Sequence, residues 1–136
     1  MSADIIQQLR LAPHPEGGHY RETLRLPAGP DGRSPMTAIL FLLEAGERSH
    51  WHRVDAAELW LWHAGAPLTL RIEGGELIRL GSAIDDGEQP QGLVPAGQWQ
   101  SAEADRGWAL VSCVVSPGFD FAGFELAPPR WQPSAR

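Results

Sequence analysis

Two histidines and a glutamate in the first half of the chain have the residue types and the spacing of a metal site. His50 and His52 are separated by Trp51, and five residues lie between His52 and Glu58. Alternate side chains of a strand share a face, so His50 and His52 are expected to point the same way. Glu58 begins a further apolar run that could bring its carboxylate opposite the imidazoles. Neutral imidazole with carboxylate suits iron, manganese, nickel, copper or zinc, and leaves positions open for water or substrate.

Tryptophans close to this cluster suggest what a ligand would contact. The chain has 6 tryptophans in 136 residues, and Trp60 and Trp62 share the predicted strand face of Glu58. Together with Trp99 they predict an aromatic wall for the ring or acyl group of a ligand. The alternative is core filling or a subunit interface, which is the interpretation we favour for Trp51.

Short apolar runs bounded by Gly, Pro or Asp predict strands through most of the chain, with no helical pattern of 10–15 residues between them. Their spacing indicates an all-β sandwich or barrel and argues against a parallel doubly wound sheet. The predicted strands cover residues 37–43, 57–63, 68–73, 76–80, 93–94, 99–102, 108–115 and 121–126.

The N-terminal segment is the one region with a helical pattern. Ile5, Ile6 and Leu9 lie on one helical face after Ser2, a candidate N-cap, and Pro13 ends the pattern. Residues 14–22 predict a turn leading into an extended stretch, and 27–35 a loop rich in Pro and Gly. We therefore predict one domain over 1–136, with a helix and extended arm in 1–35, a barrel in 36–127 and an irregular tail in 128–136.

Composition bounds the partners and the location. The net charge of −6, with scattered arginines and no lysine, gives no basic stripe for nucleic acid. The longest apolar run, residues 38–43, is far shorter than the roughly 20 residues of a membrane helix. Met1 to Asp4 show no secretory signal, which predicts a cytoplasmic location. Cys113 is the single cysteine and lies in an apolar run, so we expect a buried, inert thiol.

The histidine segment resembles the first motif of the cupin superfamily: Gly46, His50, His52, Glu58 and Gly65 follow its order of glycine, paired histidines, glutamate and glycine. The second cupin motif is similar to residues 95–100, Pro-Ala-Gly-Gln-Trp-Gln. Gln100 stands where most metal-binding cupins have a third histidine. The resemblance thus implies His50, His52, Glu58 and Gln100 as the ligands of a divalent transition metal.

Three further stretches resemble the cupin_5 family, a domain of unknown function: residues 13–22, residues 52–60 and residues 115–121. The resemblance implies a double-stranded β-helix, or jelly-roll, barrel with a short N-terminal helix, commonly dimeric and structurally similar to sugar-nucleotide epimerases. Arg21 and Glu22 would lie at the barrel entrance, where they are candidates for ligand contact. Tyr20, the single tyrosine, is the sole candidate for the tyrosine acid of an epimerase.

Three functions remain open at this point. The first is a metal-dependent enzyme acting on a small organic molecule, with His50, His52 and Glu58 as its catalytic centre. The second is a metal-free module that binds a small molecule in the same pocket. The third is a metal-free isomerase or epimerase with His50 or His52 as general base. In each case we expect a homodimer, because open barrels leave edge strands and apolar faces that a second subunit can cover.

Overall fold

The computed structural model describes residues 1–134 as one short helix followed by strands. The last two residues of the predicted tail, 135 and 136, lie outside this described part. The elements are α1 Ser2–Gln8, β1 Ala12–Pro13, β2 His19–Arg25, β3 Thr37–Leu43, β4 Arg48–Val54, β5 Ala57–Gly65, β6 Leu68–Ile72, β7 Glu76–Leu80, β8 Gln91–Val94, β9 Gln100–Glu103, β10 Ala109–Ser116 and β11 Phe124–Leu126, with 3-10 turns at Ile84–Asp86 and Phe121–Gly123.

The strands form two antiparallel sheets that face each other. One sheet has the order β1-β2-β3-β10-β5-β8 and the other the order β11-β4-β9-β6-β7. This arrangement confirms the predicted all-β jelly roll with a short N-terminal helix. The helix begins one residue earlier than expected, because Met1 and not Ser2 is its N-cap residue. The Ser2 hydroxyl instead donates to Glu44 Oε2 at 3.3 Å. Strands β1, β2 and β4 are not among the eight predicted strands. An extended stretch was expected near β2 and a strand conformation at His50 and His52, but the many polar residues of β2 and β4 conceal the alternation that would define their bounds.

The core lies between the two sheets and explains why the strands alternate as they do. In β10, every second residue from Ala109 to Val115 is buried, which is the pattern of a strand with one face on a core. The core cluster includes Phe41, Leu43, Trp60, Leu70, Leu80 and Val111. One end of the barrel interior is instead polar, and it contains the candidate site.

A tight turn at residues 14–18 closes over that polar end. The amide of His14 donates to the carbonyl of Gly18 at 2.9 Å, and the amide of Gly17 donates to the carbonyl of His14 at 3.0 Å. Gly17 has φ +109°, and a Cβ atom there would lie 2.3 Å from the carbonyl oxygen of Arg48. The turn therefore needs glycine for both its backbone angle and its contact with β4.

Replacing Gly17 with Ala is expected to destabilise the protein by more than the backbone angle alone explains. The cost should exceed the roughly 1–3 kcal/mol of a strained φ, because the new Cβ would push the turn away from β4. Gly74→Ala is the matched control, since Gly74 has φ +93° and open space around its Cβ position. Urea denaturation of both variants checks this. Equal losses of unfolding free energy would show that the close contact with β4 contributes nothing.

Formation of the expected homodimer stays a prediction, and it would cover exposed leucines on the outer surface. Leu77 on β7 and Leu93 on β8 are 50% and 54% exposed. These strands end their respective sheets and contact each other. In the described part of the chain, no helix has the length and apolarity to cross a membrane.

Candidate functional site

A β-bulge in β4 decides which histidine enters the barrel. Ser49 pairs with Ala102 of β9, and His52 pairs with Gln100. Between these two pairs β4 advances by three residues and β9 by two, so β4 contains one extra residue. An extra residue in a strand reverses the alternation beyond it. Ser49 and His52 are both buried, whereas the His50 side chain lies on the outside, where its Nε2 donates to the carbonyl of Pro128 at 2.9 Å. The prediction that His50 and His52 share one face is therefore wrong.

The polar end of the barrel encloses a cavity of about 220 Å³. Its ionisable and polar lining comes from both sheets and from the turn at residues 14–18, and its mouth is partly aromatic. The lining residues are His14, Glu16, Tyr20, Glu22, Arg25, Thr37, Ile39, His52, Val54, Glu58, Cys113, Val115, Phe119 and Phe121. Of the predicted metal and catalytic residues, His52 and Glu58 line this cavity.

Glu16 is a buried carboxyl group of the cavity with a strongly raised pKa. Burial, which penalises the charged form, raises the pKa of Glu16 to about 8, although a hydrogen bond from the Ser49 hydroxyl opposes the shift. Its Oε1 lies 3.3 Å from Nδ1 of His14, and its Oε2 lies 3.4 Å from Nε2 of His52. At neutral pH the carboxyl group is thus protonated and lies between two imidazoles.

Both imidazoles are neutral, and hydrogen bonds define their tautomers. Nδ1 of His52 lies 2.7 Å from the carbonyl of His50, which can only accept, so Nδ1 carries the proton and Nε2 has a lone pair. Nδ1 of His14 accepts from the amide of Glu16 at 3.1 Å, so its proton is on Nε2. Burial lowers the pKa of His52 and lowers the pKa of His14 to about 4, with the nearby His52 adding to the second shift. The contacts with Glu16 are therefore contacts between neutral groups rather than ion pairs.

A second buried network joins the two sheets behind the cavity. Gln100 Nε2 donates to Glu58 Oε1 at 2.9 Å, and Gln100 Oε1 accepts from Nε1 of Trp60 at 2.9 Å. Burial raises the pKa of Glu58, and the effects of His52 and Gln100 oppose that shift. Cys113 is buried beside Glu58, and burial raises the pKa of its thiol well above the usual value, as expected for an inert cysteine.

The metal ligands expected from the sequence do not assemble around one point. His50 is outside the barrel, and the oxygen of Gln100 already accepts the indole N–H of Trp60. Only His52 and Glu58 of the expected four remain on the cavity wall with donor atoms to offer. These residues do not fit a metal held by His50, His52, Glu58 and Gln100. Within residues 1–134, the three-residue group whose ligand atoms lie within 4.8 Å of one another is instead His19, Glu44 and Glu47.

The three tryptophans expected to form an aromatic wall lie elsewhere. Trp60 is buried in the core, and Trp62 packs against that core while its Nε1 donates to the carbonyl of Ala66 at 3.0 Å. Trp99 lies outside, with its ring 4.5 Å from that of Trp131 and under the guanidinium of Arg53 at 4.6 Å. Tyr20 and two phenylalanines supply the aromatic lining in their place.

The two candidates at the entrance have different positions. Glu22 lines the cavity, and its contact with a ligand stays a prediction, whereas the Arg21 side chain lies outside and its Nε donates to the carbonyl of Leu9 at 2.7 Å. The alternation of β2 explains this, since neighbouring side chains face opposite ways. Arg25, which was not predicted as a site residue, also lines the cavity and donates to both carboxylate oxygens of Glu22 at 2.9 and 2.8 Å.

His14 and Glu16 are the main residues that sequence reasoning missed. They belong to the stretch that was interpreted only as a turn, and no local pattern shows that this turn folds back over the barrel. One signal was present: an ionisable pair next to Gly17-Gly18 in a turn of restricted geometry. His63, by contrast, bonds the Ser112 hydroxyl at 2.6 Å outside the cavity.

Comparison with known proteins supports the fold and the family. The model of the Cupin_5 family, described as Cupin superfamily (DUF985), matches residues 3–127. A crystal structure of a Shewanella oneidensis protein is 43% identical, with a TM-score of 0.86, and the match covers 93% of this chain and 84% of that one. A hypothetical protein from Leishmania major is 33% identical, with a TM-score of 0.85, over 93% and 87%.

More distant structures agree in fold alone. A conserved double-stranded β-helix protein from Klebsiella pneumoniae is 16% identical, with a TM-score of 0.64, and the match covers 89% of this chain and 93% of that one. The comparison with curated proteins gave no match.

Proposed function

The chain belongs to the Cupin_5 family of the cupin superfamily, and from this premise we propose that it binds a small organic molecule in the barrel and transfers protons on it without a metal. The observation that carries the proposal is the contact between two buried side chains on the wall of a cavity: Oε2 of Glu16 lies 3.4 Å from Nε2 of His52. Burial raises the pKa of Glu16 to about 8, which favours its protonated form at neutral pH. The reaction class is isomerisation at a carbon next to a carbonyl group: His52 takes the carbon-bound proton while Glu16 protonates the carbonyl oxygen to give an enediol. Return of the proton from His52 to the neighbouring carbon, with a hydroxyl proton of the enediol passing to Glu16, forms the product and restores both groups.

His52 is the proposed general base. Its Nε2 lone pair is available because Nδ1–H is held by the carbonyl of His50 at 2.7 Å, which also keeps the ring in position. A proton taken from the substrate carbon would go to this nitrogen. The resulting imidazolium would lie beside the Glu16 carboxyl group.

Glu16 is the proposed general acid. With a pKa of about 8, it holds its proton at neutral pH and can give it to a carbonyl oxygen of the substrate. Once Glu16 has given up its proton, its carboxylate and the protonated His52 ring carry opposite charges and lie in contact. Each charge then offsets the burial cost of the other, so the two transfers support each other.

The mouth of the cavity limits the kind of substrate. A cavity of about 220 Å³ admits only a small molecule. Arg25 and Glu22 offer a polar side and Phe119 and Phe121 an apolar side, which suits a short hydroxycarbonyl compound or a 2-oxo acid. The pair of Arg25 and Glu22 is partly exposed, so a substrate group can reach the guanidinium.

We expect the protein to catalyse deuterium exchange at the carbon next to the carbonyl of such compounds. The experiment incubates a panel of small hydroxycarbonyl compounds and 2-oxo acids in deuterium oxide and follows the loss of the proton signal by NMR. His52→Ala and Glu16→Gln should each slow the exchange about 100-fold or more, since acid–base catalysis contributes factors of this size.

His63→Ala is the control, because it removes an exposed histidine outside the cavity. Protein dialysed against a chelator should keep its full rate, and a rate restored only by an added transition metal would contradict the metal-free proposal. A compound that raises the melting temperature but shows no exchange would instead identify a binding module.

A further inference from the structure

We propose that His19, Glu44 and Glu47 form a divalent transition-metal site on the outside of the barrel, separate from the cavity. One ligand atom from each of these residues lies within 4.8 Å of the others. One imidazole and two carboxylates are an ordinary donor set for zinc and its neighbours, with the remaining positions filled by water.

The unsatisfied nitrogen of His19 is the second observation that points to a ligand. Its Nδ1 is buried and has no hydrogen-bond partner within residues 1–134. Glu44 Oε1 lies 4.0 Å away, which is too far for a hydrogen bond. Two ligand atoms at about 2.0–2.2 Å from one zinc ion lie roughly 3.3–3.6 Å apart in tetrahedral geometry. A small movement of the partly exposed Glu44 side chain would therefore let one ion bind both atoms.

The carboxylates are held in place by contacts that leave one oxygen of each available. Glu44 Oε2 accepts from the Ser2 hydroxyl at 3.3 Å, and Glu47 Oε1 accepts from the amide of Glu44 at 2.9 Å. The amide of Glu47 in turn donates to the carbonyl of Glu44 at 2.8 Å, which fixes the turn between β3 and β4. Both side chains remain partly exposed and can adjust to the ion.

The position of the site indicates a structural effect. His19 begins β2 immediately after the turn at residues 14–18, while Glu44 links the β3–β4 turn to α1 through Ser2. A bound ion would therefore join the helix, the first long strand and the β3–β4 turn at one corner. Since an ion that binds only the folded state stabilises it, the site is expected to raise the melting temperature.

The test uses untagged full-length protein and cobalt(II) or zinc(II) as the probe, with calorimetry for stoichiometry and affinity and thermal shift for stability. Wild-type protein should bind one ion per chain and melt at a higher temperature with it. His19→Ala should weaken binding at least tenfold and remove the thermal shift. Glu47→Gln should weaken it too, while its amide oxygen can still accept from the Glu44 amide and preserve the turn.

Two controls separate this site from the cavity. His63→Ala removes a histidine elsewhere, and His52→Ala removes one of the two imidazoles of the cavity; both variants should bind the ion as wild type does. Unchanged affinity in His19→Ala and Glu47→Gln, or no binding by wild type at 100-fold excess of either ion, would overturn the proposal. Loss of binding in His52→Ala alone would also overturn it and would place the ion in the cavity.

Discussion

Glu16→Gln is expected to be more stable than wild type above pH 8 and nearly as stable as wild type below pH 4.5. The pKa of Glu16 is raised to about 8 in the folded protein from 4.5. Below pH 4.5 the carboxyl group is protonated in both the folded and the unfolded protein, so its ionisation does not lower the free energy of unfolding. Between these values the unfolded chain loses the proton and the folded chain keeps it, so wild type loses stability as the pH rises.

The advantage of the variant should level off above pH 8, at an upper limit of about 5 kcal/mol from the size of the shift. Oε2 of Glu16 makes the contacts with both His52 and Ser49. A glutamine nitrogen in its place can donate one N–H to Nε2 of His52 and the other to the Ser49 hydroxyl oxygen, so the neutral arrangement is preserved. Urea denaturation from pH 4 to 9 measures the difference. Glu76→Gln, at an exposed position of β7, should show no such trend. A constant difference between Glu16→Gln and wild type across this range would contradict the raised pKa.

Gln100→Leu is expected to destabilise the protein by roughly 2–5 kcal/mol, because it leaves two buried polar groups without partners. The indole N–H of Trp60 and Oε1 of Glu58 each lose a 2.9 Å hydrogen bond. Leucine has a similar size, so the loss reports on the hydrogen bonds more than on packing. The melting temperature and the unfolding free energy should both fall.

A double-mutant cycle tests whether Gln100 acts through Trp60. Trp60→Phe removes the indole donor, so Gln100→Leu should cost less in that background than in wild type. His63→Ala, which breaks an exposed bond to Ser112, should change stability by less than about 0.5 kcal/mol. Equal costs of Gln100→Leu in the two backgrounds would show that the bond to Trp60 has no energetic role.

The strands that line the core could be predicted closely from the sequence. Apolar runs bounded by turn residues located β3 and β7 at their observed bounds, Thr37–Leu43 and Glu76–Leu80. They did so because these strands bury an apolar face and have Pro or Gly within three residues of each end, Pro35 and Gly46 for β3 and Gly75 and Gly81 for β7. The interior position of Glu58 could also be predicted, since β5 alternates regularly from that residue to Trp62.

The site was predicted less well because two of its features are not local. Whether His50 points inward depends on a bulge that forms where β4 meets β9, and period-two reasoning assumes that no bulge is present. The contribution of His14 and Glu16 depends on a turn that folds back over the barrel, since the amide of His50 donates to the carbonyl of Glu16 at 2.8 Å. Such pairings between distant segments leave no spacing pattern in either segment.

The proposed proton transfer depends on the protonation states of Glu16 and His52, and NMR titration measures them most directly. With the Glu16 carboxyl carbon assigned by its loss in Glu16→Gln, a titration midpoint near pH 8 is expected. The His52 ring is expected to be neutral at pH 7, with the proton on Nδ1 and none on Nε2. A Glu16 midpoint near the ordinary value of 4.5, or a His52 ring protonated on both nitrogens at pH 7, would contradict the proposed proton transfer.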